Sequence, residues 1–267
     1  MMRKYFARSS LWLALLAAVV TSQVPAQQPA KPAVPKAGID LSGVWLLSGG
    51  GGGGGNTFNK RPQSEWTEQT LPFTPAGQKA FDANKPGKGP RMVKPVFGND
   101  PIGGANPPGL YRTLVYSRPI EIEQVAGKVV QLFGWGRVFR IIYVDGRPVP
   151  DDVPQGPFWY GYSVGHWEGD TLVVNTLALD GRAWFDEWGT PVSDDAKIEE
   201  RWQRVAPDRL QLTITVTDPT FYSKPWTSAP INYTLQHNVE PEEIIFSPMD
   251  ENAFNRAIRD PAGLPKK

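Results

Sequence analysis

Glu200 and Arg204 fall on one side of a predicted strand over residues 197–205, together with Ile198 and Trp202, so a carboxylate and a guanidinium share one interior face. Burying each such charge costs on the order of several kcal/mol unless it is paired. The two are therefore either a structural ion pair or part of a site. On the segment 138–144, Arg140 and Tyr143 have opposite parity, so only one of them faces inward. Phe139, Ile141 and Tyr143 share a parity, which predicts that Tyr143 is the inward one. The chemistry available to such a set is a cofactor-independent lyase or isomerase reaction. Glu200 would act as acid or base, Tyr143 would donate a proton or hydrogen bond, and Arg140 or Arg204 would hold an anionic group.

Other chemistries are narrowed by what the chain lacks. With no cysteine, a disulfide framework, a thiolate metal site and a cysteine nucleophile are all excluded. The two histidines, His166 and His237, cannot complete a tetrahedral metal site without several carboxylates, and no cofactor is expected. His166 reads as a hydrogen-bonded strand residue more readily than as a catalytic one. The string Gly161-Tyr162-Ser163-Val164-Gly165 matches the letters of a nucleophile elbow, but it lies within a strand and not between strand and helix. The acid pairs Asp151-Asp152, Asp194-Asp195 and Glu242-Glu243 read as solvated surface; Asp152 and Asp194, on long loops, keep a secondary place as acid or base groups.

The elements that must position these residues are mostly strands. Segments rich in Val, Ile, Thr and aromatics alternate with turns over 120–125, 128–133, 138–144, 162–167, 171–177, 197–205, 209–217 and 232–236, with a first strand over 41–47. Alternation is clearest at Leu210, Leu212, Ile214 and Val216, whose neighbours are polar, so one face is buried and the other wet. A meander of this kind is most economically closed as an up-and-down antiparallel β-barrel; a two-sheet β-sandwich is the alternative. One short helix is predicted over 74–83, with Thr74 as cap and Pro75 in the first position, and a second over 250–258.

If direction alternates from strand to strand, the turns near Trp135, Gly169 and Pro207 share one end, and the long connections 145–160, 178–196 and 218–231 share the other. Those connections carry Phe158, Trp159 and Tyr160, then Trp184, Phe185 and Trp188, then Phe221, Tyr222 and Trp226. Long loops at a barrel mouth form ligand sites, which makes Trp159, Tyr160, Trp184, Trp188 and Trp226 candidate ligand-binding residues for an apolar, aromatic or sugar-like molecule. The competing reading is that the rings fold inward and plug the barrel.

Residues 1–26 have the layout of a cleavable secretory signal: Arg3, Lys4 and Arg8, an apolar run from Leu11 to Val20, and a polar tail ending Val24-Pro25-Ala26. The apolar run is shorter than the roughly 20 residues a membrane-spanning helix needs. Cleavage after about Ala26 removes three basic residues and no acid, taking the net charge from +1 to −2. A periplasmic or secreted protein of that charge has no electrostatic footprint for nucleic acid. Residues 27–38 read as a Pro- and Ala-rich linker, and residues 39–267 as a single barrel domain with a Gly- and Pro-rich insertion at about 49–110. The insertion opens with seven glycines, Gly49 to Gly55, which lack the following helix and Lys-Ser/Thr pair of a phosphate loop.

The strings DLSGVW (Asp40 to Trp45), GYSVGHWEGDTLVV (Gly161 to Val174), Glu200-Arg201-Trp202 and DPTFYSKPWT (Asp218 to Thr227) together resemble a functionally uncharacterised family of secreted bacterial β-proteins. The resemblance spans most of residues 40–230 and implies a secreted, barrel-like protein. Histidines associated with that family are replaced here by Val149, Val192 and Lys197, so a histidine-based site would be missing. Gly43-Val44-Trp45 is also similar to the G-x-W opening of lipocalins. The leading expectation is an exported barrel binding a small hydrophobic or aromatic molecule at an aromatic mouth. The lyase or isomerase and an envelope interaction protein with a plugged barrel are the alternatives.

Overall fold

The computed structural model describes residues 38–48, 71–104, 106–116, 118–136, 138–240, 255–259 and 261. The segment read as a secretory signal, nearly all of the expected linker and the glycine run lie outside the described residues, as does most of the helix expected over 250–258. Of that last segment a five-residue π-helical turn, Asn255–Arg259, is described.

The strands are β1 (Gly43–Leu47), β2 (Ile120–Val125), β3 (Lys128–Phe133), β4 (Val138–Tyr143), β5 (Tyr162–Glu168), β6 (Thr171–Leu177), β7 (Lys197–Ala206), β8 (Arg209–Thr217), β9 (Trp226–Thr227) and β10 (Ile231–Gln236). Each strand runs beside the next from β1 to β8, and β10 pairs with both β1 and β8, which closes a nine-stranded barrel. Closure leaves no free edge within the ring. The two-residue β9 extends the edge of β8 beyond the reach of β10, with Val216 opposite Trp226 and Leu212 opposite Ile231.

The barrel differs from a pure meander at one seam. β4 and β5 run parallel, held by only two registered pairs, Ile142 with Ser163 and Tyr143 with Val164. An odd number of strands in a closed ring forces at least one parallel pair, because strict alternation needs an even number. The connection over residues 144–161 therefore crosses from one end of the barrel to the other, as parallel neighbours require. This re-sorts the loops. The turns after β2, β5 and β7 share one end; the turn at Trp135, the long loops after β6 and β8, and the arrival of the crossing segment at Tyr160 share the other.

Packing follows the two-residue period. Trp45, Ile120, Ile122, Val129, Ile142, Leu172, Val174, Ile198, Trp202, Leu210, Leu212, Ile214, Val216 and Tyr233 all belong to one buried cluster. Trp45 donates its indole N–H to the Leu41 carbonyl at 2.9 Å, and the Arg204 guanidinium lies 5.2 Å from its ring centre. Arg204 also donates to the carbonyls of Asp40 and Pro207, so it fastens the segment before β1 to the β7–β8 turn.

Helices close the loop end. α1 (Pro75–Ala83) begins at Thr74, whose hydroxyl accepts from the Gly77 N–H at 3.0 Å, with proline in the first turn as expected. A helix that the sequence reading omitted, α2 (Leu110–Leu114), has all five side chains buried. It immediately precedes β2 and so sits over the loop end, where the Tyr233 hydroxyl donates to the Leu114 carbonyl at 2.7 Å. Among the described residues no helix is long and apolar enough to cross a membrane.

Gly77 is where α1 meets the loop after β8. A methyl group there would come within 2.0 Å of the Phe221 carbonyl oxygen. Helix propensity alone would make Gly77→Ala stabilising by about 1 kcal/mol. We expect the contact to reverse that sign and destabilise the fold by about 1–3 kcal/mol, measured by urea denaturation; a net gain in stability would show that α1 does not seat as described.

Candidate functional site

The barrel interior is filled at its centre by a polar cluster. Arg140, 3% exposed, and Glu200, 0% exposed, form a two-pronged ion pair, Nη2 to Oε1 at 2.7 Å and Nη1 to Oε2 at 2.9 Å. The guanidinium also donates to Gln131 Oε1 at 3.0 Å, to Ser163 Oγ at 2.9 and 3.0 Å, and to Thr176 Oγ1 at 2.7 Å. Trp202 donates its indole N–H to Glu200 Oε2 at 2.9 Å. Gln131, Arg140, Ser163, Thr176 and Glu200 stand on five successive strands, β3 to β7. Forked charge-assisted bonds of this kind are the strong ones, and all five guanidinium N–H groups have an acceptor within reach.

This arrangement corrects two expectations. Arg140, not Tyr143, faces inward: β4 carries apolar residues at both parities, and the register Gln131 opposite Arg140 and the pair Ser163 opposite Thr176 set polar partners around the arginine. Tyr143 lies on the outer face at the opposite end of β4 from the loop cluster, with the Arg147 guanidinium 3.7 Å from its ring centre. Glu200 takes Arg140 as partner and not Arg204, which is engaged at Trp45. Tyr143 is thus not brought together with Arg140 and Glu200.

The loop aromatics do gather at one end, but most turn inward. Trp184, Phe185, Trp188, Tyr222 and Trp226 are buried. Phe185 stacks on Tyr111 of α2 at 4.5 Å between ring centres, and Trp226 packs against Phe185 and Tyr222 at 5.2 and 5.7 Å. Of the expected ligand-binding rings, Trp184, Trp188 and Trp226 are therefore buried, and Trp226 belongs to the core cluster. Trp159 and Tyr160 are half-buried, and burial pushes the Tyr160 hydroxyl up to about 12. The Tyr111 hydroxyl is buried with no hydrogen-bond partner among the described residues; burial first, and the Glu200 charge second, raise it well above the ordinary tyrosine value.

A surface groove opens on the same end, with a volume of about 440 Å³. Pro157, Val192 and Phe221 supply its apolar wall, and Asp180, Arg182, Ser193 and Asp194 its polar edge. Two turns build that edge. In Asp180-Gly181-Arg182 the guanidinium doubles back on its own aspartate, Nη2 to Oδ2 at 2.5 Å and Nε to Oδ1 at 2.9 Å, and the Gly181 N–H donates to Asp194 Oδ1 at 2.6 Å. Ser193 gives both its N–H and its hydroxyl to Asp218, at 2.9 and 2.7 Å. Arg182 is 67% exposed and lies 4.5 Å from the centre of the Trp159 ring. Its Nη1, and Oδ2 of Asp194, have no partner among the described residues.

Of these groove residues the sequence points to Asp194 as a secondary acid or base, to Phe221 as a loop aromatic and to Val192 as a histidine replacement, and not to Asp180 or Arg182. A signal existed for Asp180 and Arg182: the Asp-Gly-Arg string occurs twice, and Asp145-Gly146-Arg147 closes the same ion pair, Nη2 to Oδ2 at 2.7 Å. Asp152 does not line the groove; it caps its own loop by accepting from the Val153 N–H. His166 is exposed, with Nε2 3.2 Å from Glu168. Among the described residues no three His, Cys, Asp or Glu side chains are grouped to hold a metal ion. No family model, curated protein or solved structure matches the chain.

Removing one member of the interior pair strands the other charge, so Arg140→Leu and Glu200→Leu should each cost about 3–5 kcal/mol. The double variant should fall short of the sum by about 1–3 kcal/mol; strict additivity in denaturant melts would contradict a coupled pair. Asp180 gives a pH signature. The hydrogen-bonded Arg182 guanidinium holds its carboxyl below the usual range. Its stabilising contribution is complete above the unfolded-state value of about 3.9 and disappears as pH falls through the lower folded value. Asp180→Asn should therefore lower the urea midpoint at neutral pH and converge on the parent as the solution is acidified; a constant difference across that range would count against the assignment.

Proposed function

We propose that this chain is an exported barrel that binds a small molecule on its loop end, in the groove between the Asp180-Gly181-Arg182 turn and Phe221. The observation that carries the reading is the groove itself. Its volume of about 440 Å³ falls within the roughly 300–1,000 Å³ of ligand pockets. It sits where the aromatic loops converge, while the barrel interior is occupied by the Arg140 cluster. An apolar wall in one groove with Arg182 and Asp194, whose Nη1 and Oδ2 have no partner among the described residues, suits a ligand with a flat apolar face and a hydrogen-bonding edge, such as an aromatic acid or a sugar ring. The apparent signal peptide supports export, and Val192, where the resembled family has histidine, lines this groove.

The lyase or isomerase reading gains less. Glu200 is fully buried and engaged by Arg140, Thr176 and Trp202, and Tyr143 faces the other way. A substrate reaching Glu200 would have to displace both the aromatic plug and the ion pair.

A thermal-shift panel of aromatic acids, terpenoids and saccharides, followed by calorimetric titration of the hits, tests the reading, since any ligand of the native state raises its melting temperature. We expect one class to bind, and Arg182→Ala and Asp194→Asn each to weaken it at least about tenfold, equivalent to 1.4 kcal/mol. Binding that survives both substitutions, or no shift across the panel, would refute the groove as the site.

A further inference from the structure

Most of the polar side chains along the groove are already spent on one another. Asp180 accepts from Arg182 on both oxygens, through the backbone N–H at 3.0 Å, Nε at 2.9 Å and Nη2 at 2.5 Å. Ser193 donates its hydroxyl to Asp218 at 2.7 Å and accepts from the Asp195 N–H at 3.2 Å. Asp218 takes the Ser193 N–H on its other oxygen, and Asp195 accepts from the Thr220 hydroxyl at 2.9 Å. What remains is one arm of a guanidinium, Nη1 of Arg182, and one oxygen of a carboxylate, Oδ2 of Asp194, neither with a partner among the described residues.

The two groups share one edge, since Asp194 Oδ1 takes the N–H of Gly181, the residue before Arg182, at 2.6 Å. No ion pair joins them; the guanidinium is paired with Asp180 instead. The groove therefore offers a cationic donor and an anionic acceptor side by side, with Pro157, Val192 and Phe221 as its apolar wall. A purely anionic ligand would satisfy Arg182 and be repelled by Asp194, and a purely cationic one would meet the reverse. A neutral sugar hydroxyl can bond to either, but a charge-assisted bond is roughly twice as strong as a neutral one. The ligand that answers both groups at full strength carries an ammonium and a carboxylate next to each other, and an apolar body for the wall.

We propose that the groove takes an α-amino acid with an apolar side chain, its carboxylate on Arg182 and its ammonium on Asp194. The inference rests on the groove reading above and narrows its ligand class.

Calorimetric titration of the whole chain with L-phenylalanine, phenylalanine amide, phenyllactate and a panel of saccharides tests it. The amide removes the carboxylate, and phenyllactate replaces the ammonium by a hydroxyl. Each should bind at least tenfold more weakly than phenylalanine. Asp194→Asn, which can still accept the Gly181 N–H, should bring phenylalanine to within about threefold of phenyllactate on the parent. Arg182→Lys, which keeps a charge beside Asp180 and loses the second arm, should bring it to within about threefold of the amide. Phenylalanine binding that is indifferent to Asp194→Asn would overturn the inference. Phenyllactate or a saccharide that binds in the groove more tightly than phenylalanine would overturn it and leave the groove reading standing, whereas silence from every probe would overturn both.

Discussion

A guanidinium in the middle of a closed barrel has no water to turn to, and Arg140 meets that constraint by recruiting one acceptor from each neighbouring strand. Gln131, Ser163, Thr176 and Glu200 reach it from β3, β5, β6 and β7. The location matters as much as the count. The parallel seam between β4 and β5 has just two ladder pairs, fewer than any other junction in the ring itself. The Arg140 to Ser163 bonds span that seam from inside. Where the backbone ladder is thinnest, a side-chain network takes over the joining of strands.

The same network explains why the barrel is not a container. With its centre taken by an ion pair, α2 can cover the loop end using Tyr111 and Leu114, and the loops after β6 and β8 lay Phe185, Tyr222 and Trp226 against it. The aromatic loops thus stabilise the lid and leave recognition to what remains outside it. That remainder is the polar edge from Asp180 to Asp194, shaped by backbone N–H groups held in carboxylates. A surface groove of this kind is set by turn geometry more than by large side chains.

Much of the fold was legible because strand period and turn residues act locally. The ends of β2, β3, β6 and β8 agree with the alternation pattern, and Thr74-Pro75 placed the start of α1. The parallel seam was not legible, because nothing in a segment of 18 residues says whether it returns to the same end or crosses. Parity on β4 failed for a related reason: Val138, Phe139, Ile141, Ile142 and Tyr143 offer apolar residues to both faces. The cross-strand partners decide, and they lie in distant sequence. α2 was missed since five residues beginning after Gly109 carry too little periodicity to separate helix from loop. Within the site, the charge on β7 was recognised, but its partner was assigned from the same strand when it comes from across the barrel.

The way the ring closes has a further consequence, in time rather than space. Its final junction joins β1 to β10, the first and last of the described strands, and Ser48 bonds Thr234 across 186 positions of sequence. Contacts of such separation are slow to form, because a long loop must be closed before they return any energy. Synthesis therefore delivers an open sheet, and the barrel is complete only once the last strand has emerged.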